Sequence, residues 1–230
     1  MPSFKVRSTE PEWMDSPDMP EAEMAAVLRG LERVNRLTLA RRPTISWLSN
    51  LLKGRPERMT IIDVGAGHGD MLRAVHAKLR RWGAEARLIG YDIDPRCTAA
   101  ARRASAGLPI EWVTGDATQA VATADIVLCS LVTHHMRDDE LISFLRWIDG
   151  AAQHGFFIND LRRSKTAWRA FRLMARVLRF HPVVRHDGAL SIERSFTPDD
   201  WGMLLRQAQV RARVEAWTPY RLCVSRERRV

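Results

Sequence analysis

The apolar positions of the chain change period partway along it. Between Asp18 and Leu37, the residues Met24, Val27, Leu28, Leu31 and Val34 recur at helical spacing, which marks one buried helix face. Asp18 with Glu21 has the form of a capping box that would open this helix. A second helical stretch, "PTISWLSNLLKG", stops near Gly54. Both precede the first strand signal, so residues 1–55 read as an N-terminal helical cap and 56–230 as the main domain, the two forming a single compact unit.

Beyond them short apolar runs alternate with helical patterns. "RMTIIDVGAG", "ARLIGYDID", "IEWVTGDA", "ADIVLCSLV" and "GFFINDL" read as buried strands. Between them lie helices such as "HGDMLRAVHAKLRRWG", which ends on Gly83, and "DPRCTAAARRASAG", with Asp94 as cap and Pro95 as first residue. The stretch "RDDELISFLRWIDGAAQ" is a third, with acids in its first turn. This alternation predicts an α/β fold with a doubly wound, mostly parallel sheet covered on both faces. "FTPDDW", with Thr197 as cap, opens the last helix, and an antiparallel hairpin follows it.

Composition narrows the class. At 230 residues with 46% hydrophobic content the chain suits one α/β domain. No run is long and apolar enough for a bilayer, and "MPSFKVRSTEPEW" lacks a secretory h-region. Three scattered cysteines argue for a reducing, cytoplasmic setting and against a zinc site or disulfide framework. The net charge of +9 and pI near 10.4 raise nucleic acid or an anionic membrane surface as partners. The basic residues are spread along the chain, however, so a solvated arginine surface is the first reading and nucleic acid is disfavoured.

In a doubly wound sheet ligands gather at the carboxyl ends of the strands. The residues there are Asp63 with its glycines, Asp92, Asp116, Ser130 followed by His134 and His135, and Asn159 with Asp160. Gly65, Gly67 and Gly69 do not fit G-x-G-x-x-G, because Asp70 stands where the third glycine belongs. Asp63 and Asp70 bracket the loop and would repel a pyrophosphate. S-adenosylmethionine, with a sulfonium, an ammonium and no phosphate, suits them better.

"IIDVGAGHGD" resembles the D-x-G-x-G-x-G motif of class I S-adenosylmethionine-dependent methyltransferases. "YDIDP", "GDA" and "ADIVLCSLVTHHM" resemble their second, third and fourth motifs, in order, over roughly residues 56 to 160. The resemblance implies a seven-stranded Rossmann-like methyltransferase sheet and S-adenosylmethionine as cofactor. It implies that Gly65, Ala66 and Gly67 approach the methionine portion while Asp63 orients the loop or meets the ammonium. Asp92, with Ile93 beside it, would accept the ribose hydroxyls, and Asp116 the adenine amino group next to Ala117. Ser130 and Leu131 would line the methyl-transfer end. The competing reading of Asp92 and Asp116 is that they cap the elements that follow.

The acceptor is less constrained. The fourth strand lacks the Asn/Asp-Pro-Pro-aromatic motif typical of methyltransferases acting on adenine amino groups or glutamine amides, and instead resembles the small-molecule branch, including a bacterial quinone/polyketide methyltransferase-like subgroup. His134 and His135 are the candidate catalytic bases for a protonated nucleophile; otherwise one packs under a helix and the other orients a loop. Residues 161–195 form an insert with Arg169, Arg172, Arg176 and Arg179 on one helical stripe. Trp168, Phe171, Met174, Val177 and Leu178 make a broad apolar face. The insert reads as a core-packing lid, a lid lining the acceptor pocket, or a face in peripheral contact with an anionic membrane. Asn159, Asp160, Arg162, His186 and Asp187 are candidates to orient an acceptor head group, or else to hydrogen-bond within loops. The resulting expectation is methylation of a small aromatic or hydrophobic acceptor, on oxygen before carbon. An RNA methyltransferase and a non-catalytic cofactor-binding protein are the rivals.

Overall fold

The computed structural model describes residues 4–52 and 59–228. The expected helix end at Gly54 and the boundary between residues 55 and 56 lie outside the described residues. The chain order is α1 (Glu21–Leu37), α2 (Arg42–Leu52), β1 (Met59–Val64), α3 (Asp70–Trp82), β2 (Ala86–Asp92), α4 (Pro95–Ala104) and β3 (Ile110–Thr114). Then come α5 (Ala117–Ala120), β4 (Ala124–Ser130), α6 (Asp138–Ala151), β5 (Ala152–Leu161), α7 (Lys165–Val177) and α8 (Pro182–Arg194). The chain closes with α9 (Pro198–Ala208) and the hairpin β6 (Arg213–Trp217) and β7 (Arg221–Glu227).

The seven strands form one sheet in the order β3-β2-β1-β4-β5-β7-β6. The first five are parallel, and β7 runs antiparallel to both β5 and β6. The order reverses between β1 and β4, so the tips of β1, β2 and β4 face one crevice. Alternation along β5 divides the core. Phe156 packs with Trp201, Phe196 and Ile148 on one face, and Phe157 with Trp47, Leu48 and Leu72 on the other. A third cluster joins Val27 of α1, Phe171 of α7 and Val184 of α8.

Two expectations need correction. α1 begins at Glu21 behind Pro20, with no side-chain cap, so the Asp18 box does not form. A proline disfavours helical backbone in the residue before it, which stops the helix from reaching back through Met19. His186 and Asp187, whose alternative reading was hydrogen bonding within loops, lie instead in helix α8. Asp94 and Thr197 do cap α4 and α9 as expected, with Oδ1 of Asp94 accepting from Arg96 N–H at 2.8 Å and Oγ1 of Thr197 from Asp200 N–H at 3.2 Å.

The glycine loop is shaped by neighbouring side chains. Trp112 of β3 is buried, and its ring lies where a Cβ on either Gly69 or Gly90 would come within 2.3 Å. Gly90→Ala is therefore expected to overpack the site and cost about 1–3 kcal/mol. Urea denaturation of the variant checks this, with an unchanged m-value marking a loss of stability alone.

Candidate active site

The loop after β1 turns back over the sheet because its amides are captured there. Gly67 N–H donates to Asp92 Oδ2 at 2.9 Å, and Asp92 Oδ1 accepts from Asp94 N–H at 3.0 Å. Asp92 thus ties the first and second strand tips together and is no helix cap. Burial raises its pKa, with those two amides opposing the rise. Two carboxylate oxygens offer about four acceptor positions, so acceptor capacity remains toward the crevice. Asp116 behaves as the alternative reading held: Oδ1 accepts from Thr118 N–H and Oγ1, both at 2.8 Å, capping the short α5.

A cavity of about 780 Å³ opens over the strand tips, near the upper end of the roughly 300–1,000 Å³ usual for small-molecule sites. Its wall includes the strand-tip residues named from the sequence: Gly65, Ala66 and Gly67, then Asp92 with Ile93, Asp116 with Ala117, and Ser130 with Leu131. The wall also includes apolar residues of the helices. Leu28 and Leu31 come from α1, Phe171 and Met174 from α7, and Ile192 from α8.

A recess of about 30 Å³ adjoins this cavity and shares Gly65, Ala66, Asp70, Ser130 and Arg221 with it. Four buried polar atoms in its walls have no hydrogen-bond partner: Asp63 Oδ1, Asp70 Oδ2, Ser130 Oγ and Arg221 Nη1. Unpaired buried groups are costly and uncommon. Burial, reinforced by the nearby Asp70 and Asp92 charges, pushes the Asp63 carboxyl well above the usual range. Burial likewise raises Asp70 and lowers the Arg221 guanidinium. Carboxylates and a guanidinium awaiting partners in one recess match the ammonium and carboxylate of an amino acid. The chemistry of the residues therefore fits S-adenosylmethionine.

The acceptor end is built on the turn Thr133–His135. Asp160, wholly buried at the tip of β5, accepts from the Thr133 hydroxyl, from His134 N–H at 3.0 Å and meets His134 Nδ1 at 2.7 Å. Burial alone would raise Asp160, but His134 and these donors hold it down to about 2. The guanidinium of Arg194, from α8, donates to the carbonyls of His134 and His135, each at 3.1 Å. Both imidazoles border the cavity, His134 3% exposed and His135 partly open.

Glu12 completes this end and no sequence signal identified it. Its segment has no periodicity; it is seated by Asp187 of α8, whose two oxygens accept from Trp13 and Met14 N–H, both at 2.9 Å. Ser191 then donates to Glu12 Oε1 at 2.8 Å, and burial pushes the Glu12 carboxyl up to about 7. Arg221 was missed too, being read only as a strand residue.

Several of the candidate acceptor-orienting residues make other contacts in the structure. Asn159 borders the recess, but its amide donates to Ala40 carbonyl at 2.7 Å and Thr44 Oγ1 at 3.0 Å, tying α2 to the sheet. Arg162 is exposed and pairs through its backbone with Phe196 and Tyr220. His186 stacks on Trp13 at 3.8 Å, outside the cavity wall. Each is on the surface or spent on structure. Asp160 acts on the site through His134. The arginines of α7 are exposed, as is Val177, while Phe171 is buried.

Asp63→Asn removes a buried charge. A carboxyl whose folded pKa is raised costs stability increasingly as pH climbs above the unfolded value of about 4. The variant escapes that cost, so its cofactor-free thermal midpoint should exceed the parent's near neutral pH and converge with it near pH ~4. Losing a charge-assisted hydrogen bond worth about 1.5–3 kcal/mol should weaken S-adenosylmethionine binding roughly 10–150-fold. Scanning fluorimetry and titration calorimetry read the two effects.

Residues 61–155 match the family described as "Methyltransferase domain". The sequence matches none of the curated proteins. Among solved structures, the fold is similar to a SAM-dependent methyltransferase from Aquifex aeolicus, at 18% identity and TM-score 0.61, over 90% of this chain and 98% of that one. A plantazolicin methyltransferase in complex with SAH aligns at 12% identity and TM-score 0.64, over 91% and 96%. Human N-acetylserotonin methyltransferase in complex with SAM aligns at 15% and 0.64, over 90% of this chain and 56% of that one. The family match runs from within β1 to the start of β5, so this segment is similar to the methyltransferase-domain family, and the whole chain shares the fold of the S-adenosylmethionine-dependent methyltransferases named here.

Proposed function

We propose that the protein methylates a small aromatic or hydrophobic acceptor, on oxygen in preference to carbon. The observation that carries this reading is the cavity wall, which joins polar strand-tip residues to apolar residues of α1, α7 and α8. Small-molecule acceptors also belong to neighbours in the fold: one is a magnesium protoporphyrin IX methyltransferase, another is complexed with a plantazolicin analogue. Residues 1–55 then serve as a helical cap and 161–195 as a lid on the 56–230 domain, together one compact unit.

When bound, S-adenosylmethionine supplies a methyl group on a positively charged sulfur. The residues of the chain supply position and dryness. Asp63 and Arg221 take the amino-acid end, Asp92 the ribose, and Ala117 with Asp116 the base. Leu28, Phe171 and Ile192 exclude water around the acceptor. Oxygen is favoured because polar groups at the acceptor end gather at one point, His134 and His135, where a hydroxyl must lose its proton. Replacing both histidines with Gln should abolish methyl transfer from labelled cofactor in a host extract, resolved by mass spectrometry. Cofactor affinity by calorimetry should be unchanged. Undiminished labelling in the variant would refute the role.

One observation favours a lipid-borne acceptor. Leu173 and Val177 of α7 are 65% and 67% exposed, next to Met174 on the cavity wall and among Arg169, Arg172 and Arg176. Apolar and basic residues on one exposed helix suit an anionic membrane surface; no described helix is long and apolar enough to cross a membrane. Cosedimentation with phosphatidylglycerol vesicles should exceed that with phosphatidylcholine and fall in Leu173→Asp/Val177→Asp. Equal retention on both vesicles would dismiss the membrane contact.

A further inference from the structure

The acceptor end contains an arrangement that methyl transfer from a sulfonium does not itself require. Glu12, His134 and His135 place one ligand atom each within 4.8 Å of one another, at the cavity wall. His134 Nε2 lies 3.6 Å from Glu12 Oε1, and His135 Nε2 lies 3.8 Å from Glu12 Oε2. These separations exceed hydrogen-bond length, which for N–H···O runs to about 3.2 Å. They are close to the roughly 3.4 Å between two ligands that each sit about 2.1 Å from one tetrahedral cation.

The outer contacts of the two rings point the same way. His134 Nδ1 meets Asp160 Oδ1 at 2.7 Å, and His135 Nδ1 meets Asp15 Oδ2 at 3.3 Å. Each imidazole therefore has a carboxylate on its far nitrogen, which leaves Nε2 turned toward Glu12. A carboxylate behind each ring is how proteins orient metal-binding histidines and raise their basicity. The turn is also braced against movement, since Arg7 donates to Met136 carbonyl at 2.9 Å and Arg194 to the two histidine carbonyls. Such a rigid set of two imidazoles and a carboxylate, with its remaining side open to a cavity, is a donor set for a divalent first-row cation.

We propose that Glu12, His134 and His135 hold a divalent cation of the zinc type, with at least one coordination position facing the cavity for the acceptor's oxygen. This deepens the reading of His134 and His135 given above and rests on it: the imidazoles act as ligands. The acceptor's O–H bond breaks on binding, its proton passes to solvent water, and the oxygen keeps the electron pair with which it attacks. Glu12 thereby faces a cation, and Asp160 lies behind the His134 ring on its far nitrogen.

The test uses the full chain, stripped with a chelator and titrated with Co2+ as a spectroscopic substitute for Zn2+. One cation should bind per chain, with visible absorption bands, and azide should shift them by occupying the open position. Glu12→Gln and His135→Gln should each weaken Co2+ binding at least about 100-fold, and Asp15→Asn, one shell out, roughly 10-fold. His135 is the less buried of the two ring ligands, so its variant keeps the test valid if Glu12→Gln does not fold. Absence of saturable Co2+ binding, binding unchanged in His135→Gln, or bands unmoved by azide would each overturn the proposal. Calorimetry with S-adenosylmethionine on the stripped protein separates this failure from that of the underlying reading: intact cofactor affinity without cation binding leaves a methyltransferase that has no metal here.

Discussion

A carboxylate withdrawn from water must either acquire a partner or surrender its charge, and this structure is organised around that constraint. Asp160 acquires partners, and in doing so locks Thr133 and His134 beneath the cavity. Asp92 acquires two backbone amides and thereby joins two strand tips. Asp63 acquires none in full, and burial drives it toward the neutral form. The same residue type thus acts as a fastener where it is satisfied and as a receptor where it is not.

The glycine loop shows how packing supports this division. Two of its glycines make room for protein rather than ligand: a Cβ on Gly69 would strike the Trp112 ring, and one on Gly65 the Val132 side chain. Gly67 meets nothing within 4 Å and offers its amide to Asp92. The loop is therefore held from behind by Trp112 and Val132, with its open side left to the crevice. That rigidity lets a buried, unpaired Asp63 persist, because the backbone that carries it cannot relax toward water.

Much of the fold was legible because the sheet is covered on both faces, so each strand is a continuous apolar run that ends abruptly in a polar residue. Asp63, Asp92, Asp116 and Ser130 stand out on that ground, and the structure puts the last three in the wall of the cavity and Asp63 in the adjoining recess. α8 was not legible. Val183, Asp187, Leu190, Ile192 and Arg194 are all buried, so the helix is covered on several sides and shows no single apolar stripe. Glu12 was beyond reach for a related reason: it is placed by hydrogen bonds from a distant helix, and pattern along the chain does not report such contacts. Asn159 misled because a polar residue at a strand tip looks the same whether it faces a ligand or, as here, ties down α2.

The seating of the 12–15 segment on Asp187 carries a consequence for how the protein comes into being. The helix that receives those residues is synthesised about 170 residues after them. Until α8 has been made Glu12 has no berth, and the pocket stays open on that side while β1 to β5 assemble. A nascent chain that already has the five parallel strands therefore still lacks that side of the cavity until α8 follows.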